Sequence, residues 1–208
     1  MAAERVTAYV DGFNLYYGLL EARLRSSRWF DLRFLCESLL RPSQRLTLVR
    51  YFTSIVRNQP DAAERQGMYI DALRATGLIE IDFGHFLPKT TYCRRCGFIH
   101  RSAEEKKTDV NIAVRLLEDA YSDRFDLAML ISADSDLVPP VESIRRDFPA
   151  KTVLVASPPK RWSSELACVA HATTRISGKR IRLSRLSDPV RLADGTLLRA
   201  PQGWLPSS

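Results

Sequence analysis

The run "DLAMLIS", Asp126 to Ser132, constrains the fold more than any other stretch. Its apolar residues are consecutive rather than alternating, and the run is too short for a buried helix. A strand of this kind is covered on both faces, as in the middle of a parallel sheet with helices packed above and below. Directly after it comes "ADSDL", two carboxylates where the strand ends.

The rest of the chain supplies the partners such a strand needs. Val6–Val10 reads as a short buried strand, followed by a helical stretch from about Leu15 to Arg25. Asp31–Leu40 has an Asp N-cap and helical spacing. "RLTLVRYFTSI" alternates like a strand, and "PDAAERQGMYIDALRATG" opens on Pro-Asp and stops on Gly77, as helices do. "LIEIDFGHFL" is a further strand, and Pro88 to about Ser102 reads as irregular. "DVNIAVRLLEDAY" is an amphipathic helix with Val110, Ala113, Val114, Leu117 and Ala120 on one face. "LVPPVESIRRD" is a helix with prolines in its first turn, "KTVLVAS" a fifth strand and "SSELACVA" a short helix. Strands alternating with helices define an α/β fold with a mostly parallel central sheet. From residue 175 the chain turns basic, with seven Lys or Arg side chains from Arg175 to Arg199 against Asp188 and Asp194. The expected organisation is a domain over 1–174, with a Cys/His loop insertion at about 85–102. A basic tail over 175–208 then packs on the domain or contacts a partner.

Composition narrows the function classes. With 45% hydrophobic and 26% charged residues, a chain of 208 residues can bury a core without disulfides. No apolar run reaches the roughly 18–20 residues that span a bilayer, and "MAAERV" has charges where a signal peptide is apolar. The expectation is a cytoplasmic protein with no membrane partner. Lys and Arg number 31 against 24 Asp and Glu, a net +7, which raises the odds of a polyanionic partner. Cys36 and Cys168 sit in apolar helical contexts and read as buried thiols.

The carboxylates fall where open α/β sheets bind ligands, beyond the carboxyl ends of strands. Asp11 follows the first strand, with Gly12 and Asn14 after it. Asp134 and Asp136 follow the fourth strand by this reading, and Asp109 opens the amphipathic helix. Singly, Asp109 fits a helix-dipole partner and Asp136 a helix cap. Gathered on one sheet edge they would repel one another without a cation, which points to Mg²⁺ or Mn²⁺.

"YVDGFNLYY", "EEKKTDVNIAVRLLEDA" and "LISADSDLVPPVESIR" together resemble the NYN domain, a branch of the PIN-like nuclease superfamily. The resemblance covers most of Val6 to Ala156, with D-G-x-N, K-x-x-D and S-x-D-x-D in the family's order. It implies a three-layer PIN-like, Rossmannoid fold and metal-dependent hydrolysis of RNA. By position, Asp11, Asp109 and Asp134 would hold Mg²⁺ or Mn²⁺, and Asp136 would complete the acidic cluster. Asn14 would orient a ligand or contact substrate, Ser132 would bond a water on the metal, and Lys106 would contact phosphate. Ala133 stands where the family usually has Gly. The implied mechanism lowers the pKa of a bound water and stabilises transition-state charge, leaving 5′-phosphate and 3′-hydroxyl ends. DNA is left open as a substrate, as is the oligomeric state, a homodimer included. The alternative is an RNA-binding or regulatory module of the same fold with little turnover. A haloacid-dehalogenase-type phosphatase would need an acid where Phe13 stands, and no P-loop or dinucleotide glycine motif occurs.

"HFLPKTTYCRRCGFIH" adds a second constellation. His85, Cys93, Cys96 and His100 are four N/S donors that would suffice for a structural Zn²⁺ site stapling the insertion. His85 also fits a plain strand position. Arg94 and Arg95 give that loop a positive charge suited to an RNA backbone. Tyr16 and Tyr17 fit either the core or a base-stacking surface.

Overall fold

The structure is a computed structural model that describes residues 3–56, 59–92, 95–96 and 99–206, without the side chains of 85–91 and 99–106. The first half runs β1 (Glu4–Asp11), α1 (Gly12–Glu21), α2 (Leu32–Glu37), β2 (Gln44–Thr53), α3 (Pro60–Ala75), β3 (Ile79–Phe83), β4 (His85–Tyr92) and β5 (Ile99–Lys106). The second half runs α4 (Thr108–Tyr121), β6 (Leu127–Ile131), α5 (Val138–Asp147), β7 (Thr152–Ser157), α6 (Ser164–Val169), β8 (Ala172–Arg175), α7 (Gly178–Leu183), β9 (Val190–Arg191) and β10 (Leu197–Leu198). Six strands form one sheet in the order β3-β2-β1-β6-β7-β8, every neighbouring pair parallel. All five residues of β6 are buried, as its unbroken apolar run requires.

Helices cover both faces. Val6, Ala8 and Val10 of β1 face one cluster with Leu15 and Leu19 of α1, Leu35 of α2 and Leu73 of α3. Tyr9 of the same strand faces the other, with Ile112 and Leu116 of α4 and Ile144 of α5. This period-two division along β1 makes the fold a three-layer α/β sandwich. The sequence order reverses between β1 and β6, so the chain leaves these two adjacent strands in opposite directions. That switch point opens a crevice at their carboxyl ends.

Four expectations need correcting. The stretch expected to be one strand at "LIEIDFGHFL" is broken at Gly84: β3 stays in the main sheet, while β4 leaves it to pair with β5. Pro88 to Ser102 is therefore largely an antiparallel hairpin, not irregular chain. Helix α4 buries the expected stripe only at its far end, at Ala120 and partly at Leu117; Val110 is 62% and Val114 47% exposed. Its inner face carries Ile112, Leu116 and Asp119 instead. Asp119 is drawn inward by Arg50, whose Nε lies 2.7 Å from its carboxylate, and by the Tyr9 hydroxyl at 2.7 Å. A buried charge must keep its partner, so that pair sets the rotation of the helix. Cys168 is exposed, because the six-residue α6 buries Leu166.

Residues 172–175, unassigned by pattern, form the sixth strand. Beyond it Ile181, Leu186, Val190 and Trp204 join the main apolar cluster. Among the described residues no helix is long and apolar enough to cross a membrane.

Candidate metal centre

The site is built from two strand ends and one helix start. Asp11 is the last residue of β1 and the N-cap of α1; its Oδ1 accepts from the Asn14 N–H at 2.9 Å. The chain can turn there because residue 12 is glycine: a Cβ would lie 2.6 Å from the Phe52 carbonyl oxygen and 2.8 Å from the Tyr51 ring. Across the switch point, Ser132 follows β6. Its buried hydroxyl donates to Asp11 Oδ2 at 2.9 Å and accepts from the Asp134 N–H at 3.1 Å. The Asn14 side-chain oxygen accepts from the Ala133 N–H at 3.2 Å. Asn14 and Ser132 thus stitch the two strand-end loops together. Beside these two bonds the Ser132 oxygen keeps one lone pair, which a water on a bound metal could donate to.

Asp134 caps the single 3-10 turn Ser135–Leu137, accepting from the Asp136 N–H at 3.0 Å. Asp109 lies in the first turn of α4, which starts from Lys107 in a left-handed conformation with no side-chain cap. One carboxylate oxygen from each of Asp11, Asp109 and Asp134 lies within 4.8 Å of the others. Asp136 is exposed and outside this trio, though its charge helps raise the pKa of Asp109, after burial and Asp134.

Electrostatics define the problem these residues pose. Burial above all pushes the Asp11 carboxyl up to about 6, with the Asp109 and Asp134 charges adding to it. Hydrogen bonds from Asn14 and Ser132 act the other way and do not overcome it. Two like charges at that spacing repel by about 3.5 kcal/mol at an effective dielectric of about 20. Among the described residues no Lys, Arg or His pairs with any of the three. An all-oxygen, anionic donor set without an internal counter-charge fits a hard divalent cation of the Mg²⁺ or Mn²⁺ kind.

The other expected site residues divide. The side chains of Lys106, His85 and His100, and all of Cys93 and Arg94, lie outside the described residues. Arg95 and Cys96 are exposed at the hairpin turn. The register pairs His85 with Lys106 and His100 with Thr91. Six residue steps along β4 separate those positions, roughly 20 Å at strand rise. The backbones of the two histidines thus stand toward opposite ends of the hairpin, and the expected Zn²⁺ ligand set rests on side chains outside the described residues. Tyr16 and Tyr17 are exposed on α1 rather than core.

A feature without a local sequence signal lies on the other side of Gly12. A cavity of about 410 Å³ is enclosed by α1, the end of β2, the first turns of α3 and Trp204. Its walls are contributed from residue 12 to residue 204, which no short-range pattern reveals.

Among known proteins, 175 residues are 29% identical to 6-hydroxy-3-succinoylpyridine 3-monooxygenase HspA of Pseudomonas putida (strain DSM 28022 / S16). The match covers 68% of this chain and 55% of that protein, so the chain spans about half the length of this curated relative. The crystal structure of VPA0982 from Vibrio parahaemolyticus RIMD 2210633, a protein of unknown function, superposes with a TM-score of 0.59 at 27% identity. That superposition covers 85% of this chain and 95% of the Vibrio chain. Residues 5–177 match the NYN domain, a span that contains the six-stranded sheet and all three clustered carboxylates. The chain belongs to the NYN domain family.

Proposed function

We propose that the protein is a metal-dependent endoribonuclease. The observation that carries this reading is the convergence of Asp11, Asp109 and Asp134 at the switch point, with no cationic side chain paired to them among the described residues. These three would hold Mg²⁺ or Mn²⁺. Once bound, the ion supplies positive charge that polarises a phosphodiester and a hydrolytic water.

The chain's own residues do the remaining work. Ser132 and Asn14 fix Asp11 against Asp134 through the bonds described, so the carboxylates need little reorganisation when charge develops. Asp136 makes no hydrogen bond through its own carboxylate among the described residues and is the base assigned to the attacking water. The water oxygen bonds to phosphorus, the bond to the 3′-oxygen breaks and that oxygen takes up a proton. A 5′-phosphate and a 3′-hydroxyl result. Lys106, Arg94 and Arg95 on the hairpin are the residues proposed to hold the RNA backbone.

The test is cleavage of labelled RNAs in Mg²⁺, Mn²⁺ and EDTA by wild type and Asp134→Asn from matched purifications. Metal-dependent cleavage lost in the variant is the expected result. RNA binding without cleavage by either protein would favour the regulatory module, and cleavage of DNA alone would change the substrate. A second reading draws on the aromatic cavity beside Gly12. The Pseudomonas relative is named for a substituted pyridine, and a cavity of this size would take such a ring.

A further inference from the structure

The cavity beside the acid cluster has walls, a floor and unspent polar groups. Tyr69 forms the floor, pinned by its hydroxyl to the Phe30 carbonyl at 2.9 Å. Tyr51 and Trp204 stand edge-on to it, with ring centroids 6.5 and 5.8 Å away. Phe13, Tyr16 and Tyr17 of α1 supply the wall toward solvent. At about 410 Å³ the space falls within the range of small-ligand sites, roughly 300–1,000 Å³.

Three polar groups around it are idle. Trp204 is 7% exposed and lines the cavity, yet its buried indole N–H has no acceptor. Such a donor is rarely left unpaired, because desolvating it without a partner costs free energy. Arg65 of α3 is half-buried on the wall, and Gln59 stands at the mouth. Neither side chain has a hydrogen-bond or ion-pair partner among the described residues; the Gln59 carbonyl, in the backbone, accepts from Ala62 and Ala63. Gln66, by contrast, is fully engaged with Val56, Thr53 and Ser54.

The occupant these groups describe is a flat ring with acceptor edges, joined to an anion. Aromatic walls hold the ring by stacking. The Trp204 N–H takes a carbonyl or ring-nitrogen acceptor, the Gln59 amide offers both a donor and an acceptor, and Arg65 meets the anion. Only the Gly12 turn separates this space from Asp11, and the Asp11 charge is felt at the Tyr51 hydroxyl. A nucleotide chain whose phosphate lies at the carboxylates would therefore bring a neighbouring base to the cavity mouth. Beyond the mouth the aromatic and basic surface continues, with Arg161 over the Tyr17 ring at 5.9 Å.

We propose that this cavity is a base-binding pocket, receiving the nucleobase of a nucleotide next to the phosphate held at the acid cluster. The identity of the occupant rests on the nuclease reading; the pocket itself does not.

The experiment measures binding of the four nucleoside 5′-monophosphates to the full chain by calorimetry in EDTA, where no cleavage occurs. Wild type is compared with Trp204→Phe, which keeps an aromatic ring, though a smaller one, and deletes the donor, with Arg65→Ala, and with Ala62→Trp, which fills the cavity. Circular dichroism melts verify folding, and Trp204→Phe and Arg65→Ala keep the test valid if Ala62→Trp misfolds. Expected are base-dependent affinity, a loss of about tenfold in Arg65→Ala and a smaller loss in Trp204→Phe. The base preference of RNA cleavage should flatten in Trp204→Phe. Affinities unchanged in folded variants would overturn the proposal, as would no nucleotide binding at all. Binding of nicotinate in place of nucleotides would overturn it in favour of a small aromatic acid. If nucleotides bind and the variants weaken them while wild type cleaves no RNA, the pocket stands and the nuclease reading falls.

Discussion

Replacing Asp11 with Asn should make the metal-free protein more stable while abolishing its response to metal. Burial is the main reason the Asp11 carboxyl is raised from 3.8 to about 6. A carboxyl with a raised folded-state pKa favours folding while protonated, and that contribution is lost as pH rises through about 6. At neutral pH the ionised group therefore costs about 3 kcal/mol, at about 1.4 kcal/mol per pH unit. An amide escapes this cost, less about 1 kcal/mol because its N–H₂ must face the Ser132 hydroxyl. The net gain near pH 7.5 is about 2 kcal/mol, or roughly 4–8 °C in Tm for a domain of this size. Below about pH 4 the gain should vanish, because Asp11 is then protonated in both states. The assay is thermal unfolding of both proteins in EDTA and in Mn²⁺ across pH 4–7.5. Mn²⁺ should raise the wild-type Tm more at pH 7.5 than at pH 5, where protons compete for Asp11, and leave the variant unmoved. A variant less stable than wild type at pH 7.5 in EDTA, or a difference independent of pH, would refute the reasoning.

Ser132→Ala removes the hydroxyl that joins Asp11 to the Asp134 N–H; expect a loss of about 1–2 kcal/mol by denaturant unfolding and weaker Mn²⁺ binding by calorimetry. Gly12→Ala places a methyl 2.6 Å from the Phe52 carbonyl, so stability should fall by about 1–3 kcal/mol, with cleavage falling further than RNA affinity. Asp119→Asn removes the buried carboxylate that Arg50 and the Tyr9 hydroxyl share, while Glu80 still pairs with Arg50, and should cost about 1–3 kcal/mol in chemical denaturation.

The parts of the molecule that could be read from the chain are those whose cause is local. Asp11 closes the apolar strand β1 and Asp134 follows β6 by three residues, so strand end and carboxylate are visible together. Asp109 announces itself at the head of a helix. What stayed hidden depends on distant partners. The buried face of α4 is chosen by Arg50, 69 residues from Asp119, and periodicity alone selected the valines instead. The sixth strand is a polar edge, with Thr173 and Arg175 exposed, so it lacks the apolar signature of β6. The zinc reading relied on spacing along the chain. In an antiparallel pair, spatial proximity follows register, which sets His85 and His100 apart. The cavity beside Gly12 is the extreme case, since its wall is closed by Trp204 some 190 residues after Phe13.

The hairpin is joined to the rest of the protein at two points with unequal consequences. At one end Gly84 links it to the edge strand β3. At the other, β5 ends at Lys106, three residues before Asp109, with the left-handed Lys107 between them. Two of the clustered carboxylates are anchored at the ends of adjacent core strands, but the third hangs from the helix that this hairpin leads into. Asp109 therefore keeps its place through the buried inner face of that helix, Ile112, Leu116 and Asp119, rather than through a strand of the sheet.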